Sequence, residues 1–168
     1  ISNKDYLGKV YVVEFFFTTC PTICPIMTQN LVELQETFKY NEDFGVASFT
    51  INPRYDTPSV LTAHAGKYGI TDKDWHLMTG DQEKIYELAQ QGFYIFATED
   101  QEAPGGFEHS GMFALVDKNG YIRSREDEFG NPLIYYRGTI TEEQGVNSDG
   151  ETQQMTILKE DIKKLLAE

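Results

Sequence analysis

"VYVVEFFFTTCPTICP" (Val10–Pro25) decides how the rest of the chain is read. Its first half, Val10–Phe17, is a run of β-branched and aromatic residues. That composition belongs to a central strand buried on both faces, since a strand with one wet face alternates apolar and polar residues. Its second half holds both cysteines of the chain, Cys20 and Cys24, with three residues between them. Pro25 suits the first turn of a helix. Ile26, Leu31, Leu34 and Phe38 then recur near helical spacing, which predicts a helix from about Pro25 to Tyr40. The cysteines therefore fall where a strand ends and a helix begins. Sites in open α/β sheets form beyond the carboxyl ends of strands, and a helix N-terminus stabilises thiolate.

Outward from there, strand and helix patterns alternate. "GVASFTIN" (Gly45–Asn52) reads as the next strand. "YDTPSVLTAHAGKYG" reads as a helix capped by Asp56 or Thr57, opened by Pro58 and ended by Gly69. "WHLMTG" is a short strand, and "DQEKIYELAQQ" a helix capped by Asp81 with Gly92 at its end. "FYIFAT" is a further strand. After the Gly-rich acidic loop "EDQEAPGGFE", "HSGMFALVD" and "YIRSRE" form two strands joined at "KNG", a hairpin turn signal. Asp127–Asp149 is acidic and irregular and reads as a surface insertion. "MTILKEDIKKLLAE" closes the chain as an amphipathic helix with Ile157, Ile162, Leu165 and Leu166 on its buried side. The order predicts an α/β fold, a sheet with helices on both faces.

The 168 residues fit one domain with an ordinary core. With 27 acidic and 14 basic side chains the net charge is -13, which argues against nucleic acid or anionic lipid as the main partner. No apolar run approaches the roughly 18 residues that span a bilayer. Two cysteines are too few for a disulfide scaffold.

The cysteine pair has three readings. A structural staple closing so short a loop gains little chain entropy. A redox pair fits the helix N-terminus, although three intervening residues depart from the thioredoxin spacing of two. As a metal pair, two thiolates are soft donors suited to Cu(I), whereas structural zinc takes four protein ligands and no second cysteine pair exists. Spacing alone leaves redox and metal both open. Of the three histidines, His64 and His76 read as packing residues. His109 follows the Gly-rich loop and opens a strand, the kind of edge where sites form. Asp56 and Asp81 read as helix caps, and Met27 and Met112 as core before thioether ligands. Glu108 beside His109 would orient an imidazole only against the alternation of a strand.

Three segments in order resemble the Sco (SCO1/SenC) family of thioredoxin-like copper-binding proteins. "GKVYVVEFFFTTCPTICP" is similar to its strand and C-P-x-x-C-P loop, "NPRYDTPSVL" to its D-P-x-x-D-T-P-x-x-L segment, and "FEHSGMFALVDKNG" to its D-H-S/T segment. The resemblance implies a single thioredoxin-like domain over 1–168, with a central mixed β-sheet flanked by helices. It implies an N-terminal membrane anchor and a first β-hairpin ahead of Ile1, on the periplasmic or another extracytoplasmic membrane face. It implies Cys20, Cys24 and His109 as ligands for copper, Cu(I) or Cu(II), in a metallochaperone that helps deliver copper to, or mature, the CuA site of cytochrome c oxidase. The partner implied is subunit II of that oxidase or another copper protein. Thr22, Asn52 and Glu108 stand where the family commonly has Asp, and none of these removes a ligand. The competing reading is a thiol–disulfide oxidoreductase using the same pair, with Cys20 the attacking thiol. A peroxiredoxin ranks last, because Phe17 stands where that family has Thr or Ser.

Overall fold

The computed structural model describes residues 1–168 apart from the side chains of Glu108 and His109. β1 (Val10–Phe16) is buried along its length except at Tyr11 because it is covered on every side. It pairs in parallel with β2 (Phe44–Thr50), Val10 opposite Phe44 and Phe16 opposite Thr50, and antiparallel with β6 (Met112–Val116), Val13 opposite Ala114. β3 (Trp75–Met78) extends the sheet in parallel beyond β2. β7 (Ile122–Arg123) and β8 (Tyr135–Arg137) share the outer side of β6, β7 at its end and β8 at its start. The sheet is therefore mixed, and its parallel half needs crossover helices, which cover both faces.

One face carries α1 (Ile23–Phe38) and α4 (Met155–Leu166). Their Met27, Leu31, Leu34, Leu158 and Ile162 share a core with Val10, Val12, Phe113 and Leu115. The other face carries α2 (Pro58–Tyr68) and α3 (Gln82–Glu87), the latter prolonged by a π-helical turn at Leu88–Gly92. Leu61, Ile85 and Ala89 there share a core with Val13, Phe15 and Ala47. Each Val, Leu, Ile, Met or Phe among them contributes roughly 1.5–3 kcal/mol on full burial. β4 (Ala97–Glu99) and β5 (Phe107–His109) pair antiparallel as a separate two-stranded sheet. Among the described residues no helix is long and apolar enough to cross a membrane.

Several boundaries differ from the sequence reading. α1 starts at Ile23, so Cys24 lies in its first turn. α2 is capped by Thr57, whose Oγ1 accepts from the Val60 N–H at 3.4 Å, and ends at Gly69 in the left-handed region. Asp56 is thereby excluded as the cap. "FYIFAT" contributes only its last two residues, Ala97 and Thr98, to a strand. Before them Tyr94 has φ 54°, and the Phe93 carbonyl accepts from the Tyr135 hydroxyl at 2.6 Å instead of from a sheet neighbour. "HSGMFALVD" is broken at Gly111, φ 71°, and the two sides of the break lie in different sheets. The 127–149 segment is only partly surface: Tyr136 enters the main sheet fully buried, and Ile140 is buried too. Asn30 on α1 fixes this stretch by donating from Nδ2 to the carbonyls of Gly138 (2.9 Å) and Ile140 (3.2 Å). On α4 the buried stripe is Met155, Leu158, Ile162 and Leu165, with Ile157 and Leu166 only half-buried. The stripe includes Asp161, which accepts from the Tyr136 hydroxyl at 2.6 Å and from Arg125 Nε at 2.9 Å.

Candidate metal centre

The chain leaves β1 at Phe16 and turns at once, the Cys20 N–H donating to the Phe17 carbonyl at 3.2 Å. Thr22 occupies the N-cap position of α1 without a side-chain capping bond. Cys20 and Cys24 are thus brought to one spot from the two ends of a tight loop. The structure holds both as thiols, 7% and 2% exposed, with the sulfurs in hydrogen-bonding reach of each other. The Thr22 hydroxyl also lies 3.9 Å from the Cys20 sulfur. Cys20 opens onto a cleft of about 290 Å³ whose walls include Thr22, Ile23, Asp100, Glu102 and Phe107. A larger cavity, about 790 Å³, lies away from the cysteines, between β3, α2 and α3.

The helix N-terminus does not leave Cys24 as an easy thiolate. Burial pushes its thiol well above the ordinary range. Hydrogen bonding to Cys20, the Cys20 charge and the more distant Glu14 charge push the same way, against a single lowering contact from the Phe17 backbone. Desolvation, which disfavours the charged form, is the largest of these effects.

β5 is folded against this loop at both of its ends. Phe107, two residues before His109, packs its ring on Phe17 with centroids 5.1 Å apart. Gly105, φ 77°, approaches so closely that a Cβ there would stand 2.7 Å from the Phe17 ring and 3.2 Å from Pro21 Cδ. Gly111, two residues after His109, brings its backbone against Ile23, where a Cβ would stand 3.3 Å from Cδ1. The backbone of His109, paired with Ala97, is therefore carried beside the cysteine loop. The His109 and Glu108 side chains themselves lie outside the described residues. Among the described residues no three His, Cys, Asp or Glu side chains form a metal-holding group. His64 packs on Phe16 and Tyr68, with burial lowering its pKa. His76 Nδ1 meets the Tyr6 hydroxyl at 2.7 Å. Both have the packing roles the sequence implied, as does Met27 in the core, whereas Met112 on β6 is half-buried.

Two residues near the site have roles that the sequence does not reveal. Glu14 lies in the middle of β1, 1% exposed. Its Oε1 accepts from the Ser48 hydroxyl at 2.7 Å, and Ser48 in turn accepts from Trp75 Nε1 at 3.0 Å. Oε2 has no hydrogen-bond partner among the described residues. Burial pushes its carboxyl up to about 7. The one available signal was a lone acid in an apolar run. Asp56, read as a cap, instead takes its donors from Thr18 and Thr50.

Two adjacent thiols in a water-poor site are a soft donor pair that fits Cu(I) better than a hard cation. A sequence model of the SCO1/SenC family matches residues 1–136. The SCO1 protein homolog of Bacillus subtilis is 32% identical over 124 residues, 73% of this chain and 64% of that protein, so the chain spans just under two thirds of that relative. BsSco, a member of the Sco family of cytochrome c oxidase assembly proteins in which a disulfide switch was identified, superposes with TM-score 0.74 at 27% identity, over 99% of this chain and 85% of that one. Copper-bound ScoI of Bradyrhizobium japonicum shares the thioredoxin-like fold, with TM-score 0.70 at 18% identity over 99% and 90%. Because the match runs from the first turn to the strand that completes the main sheet, and takes in the whole dithiol loop, the chain belongs to the SCO1/SenC family.

Proposed function

We propose that the protein binds copper through Cys20, Cys24 and His109 and serves as a metallochaperone for the CuA site of cytochrome c oxidase, with subunit II or another copper protein as recipient. The observation that carries this is the meeting of the two sulfurs at the end of β1, with the backbone of β5 folded across their loop. Two thiolates and one imidazole suit trigonal Cu(I), and the imidazole also suits Cu(II). Each thiol that takes up copper releases a proton, so loading weakens as pH falls. The cleft beside Cys20 is an open approach for cargo that must be handed on. An extracytoplasmic, membrane-anchored setting, periplasmic in a bacterium, belongs to the same reading.

The test is titration of the fully reduced protein with Cu(I) and Cu(II), beside Cys20→Ala and His109→Ala. About one copper per chain is expected, lost in both variants. Unchanged affinity and unchanged copper–thiolate absorption in His109→Ala would refute the ligand set. The second reading, a thiol–disulfide oxidoreductase, is favoured by the contact between the sulfurs and by Cys20 being the more accessible. It requires turnover of a disulfide substrate by metal-free protein, with little effect of His109→Ala.

A further inference from the structure

We propose that Asp56 is a positioning residue for the dithiol site, holding the start of the cysteine loop through Thr18. This rests on the reading of Cys20 and Cys24 as the working pair. Asp56 is fully buried. Its Oδ2 accepts from the Thr18 backbone N–H at 3.0 Å and from the Thr50 hydroxyl at 2.6 Å, and its Oδ1 accepts from the Thr18 hydroxyl. Thr57 does the capping of α2, so the carboxylate is not engaged there. Among the described residues no Lys or Arg lies in ion-pair distance of it. A carboxylate buried without a cation is costly unless hydrogen bonds replace the lost water. Two of its three bonds go to one residue of the cysteine loop.

Thr18 stands two residues before Cys20. The chain just ahead of it is already fixed, since the Ile51 N–H donates to the Phe16 carbonyl at 2.8 Å. With its amide and its hydroxyl both held by Asp56, Thr18 has one way to leave the strand, and that path delivers the Cys20 sulfur to Cys24. "NPRYDTP" is therefore more than the start of α2: it grips the neighbouring loop.

Closing the pair is balanced with glutathione disulfide as oxidant. Cys20 thiolate attacks it and one glutathione leaves; Cys24 thiolate then attacks the Cys20 sulfur, the Cys20–Cys24 bond forms and the second glutathione leaves. Two protein thiols are oxidised, one disulfide is reduced, and the two thiol protons end on the two glutathiones. The equilibrium depends on how well the reduced loop holds the sulfurs together. Freeing Thr18 lowers that effective concentration, so the disulfide becomes easier to reduce.

The experiment equilibrates metal-free wild type, Asp56→Ala, Asp56→Asn and Thr18→Val in glutathione redox buffers, with circular dichroism to confirm folding. Asp56→Ala is expected to lower the constant for disulfide formation about tenfold, a midpoint about 30 mV less negative. Asp56→Asn is expected to stay within about threefold of wild type, because threonine hydroxyls can turn to suit an amide. Thr18→Val removes one of the two Thr18 bonds and falls between. A folded Asp56→Ala with an unchanged constant overturns the proposal. So does an Asp56→Asn that shifts as far as the alanine, since charge and not position would then be acting. If Asp56→Ala does not fold, an unchanged Thr18→Val overturns it instead. A wild type that closes its disulfide but takes up no copper overturns the copper reading and leaves the Asp56 result standing.

Discussion

Glu14 makes this fold less stable as pH rises, opposite to a carboxylate held by a cation. Its carboxyl has an ordinary value of 4.5 and is pushed up to about 7 in the fold, with burial the main cause and the Ser48 hydrogen bond opposing it. Below 4.5 the group is protonated whether the chain is folded or not, and its contribution is fully present. Between 4.5 and about 7 the unfolded chain releases the proton while the folded chain keeps it, so stability falls. Above that range both forms are ionised and the loss is complete. At 1.36 kcal/mol per pH unit, the loss is about 3 kcal/mol. Gln at this position keeps the volume and the oxygen that accepts from Ser48, and does not titrate. The difference in unfolding free energy between Glu14→Gln and wild type should therefore move by about 3 kcal/mol in favour of Gln between pH 4.5 and 8. In a domain of this size that is roughly 6–12 °C in Tm. Urea unfolding of both reduced proteins across the range is the assay, and the groups they share cancel in the difference. A difference that stays constant with pH, or moves towards wild type, refutes the reasoning.

Two further outcomes follow from the contacts around the site and the core. Gly105→Val forces a β-branched side chain into a left-handed backbone and onto the Phe17 ring. It should cost about 1–3 kcal/mol and loosen the hairpin from the cysteine loop. Faster alkylation of Cys20 by iodoacetamide reports that loosening, and an unchanged rate with unchanged Tm contradicts it. Asp161→Ala strands the Tyr136 hydroxyl and part of the Arg125 guanidinium, which should cost about 3 kcal/mol or more in chemical unfolding. A loss below about 1 kcal/mol would mean that the network relaxes onto water.

The strands and helices that carry the main sheet were legible because their signals are local. Val10–Phe16 reads as a buried strand from composition, and α2 announces itself by Thr57, Pro58 and Gly69. What was not legible depended on distant partners. Tyr135 removes the Phe93 carbonyl from strand pairing across some 40 residues of chain, and nothing in "FYIFAT" records that. The 127–149 segment looked irregular because its order comes from turns. "DKNG", "DEFG" and "NSDG" are one device used three times. In each the first side chain, Asp117, Asp127 or Asn147, accepts from the amides two and four residues on. A positive-φ glycine follows, at Gly120, Gly130 and Gly150. Only the first was recognised, as a hairpin turn. The other two frame the buried stretch from Tyr136 to Ile140. For the site, motif order singles out Cys20, Cys24 and His109 as candidates, while the role of Asp56 is hidden because an acid before Thr-Pro is an equally good helix cap in sequence.

The site balances two opposed effects at Cys24. Its position in the first turn of α1 and the Phe17 backbone favour thiolate, whereas burial first, then Cys20 and the Glu14 charge, push its pKa up on balance. Cys24 is therefore not held as a ready thiolate. A soft cation reaching both sulfurs would bring the positive charge that burial withholds, and so would convert the desolvated loop from an obstacle into a source of affinity. A hard, strongly hydrated cation would have to shed its water for two poor donors, and would gain little. Disulfide closure instead leaves two neutral sulfurs, which the buried loop holds without a counter-charge. Metal loading and oxidation are thus alternative fates of one buried thiol pair. That is why a single cysteine pair supports both readings, and why Asp56, which sets how the sulfurs meet, bears on both.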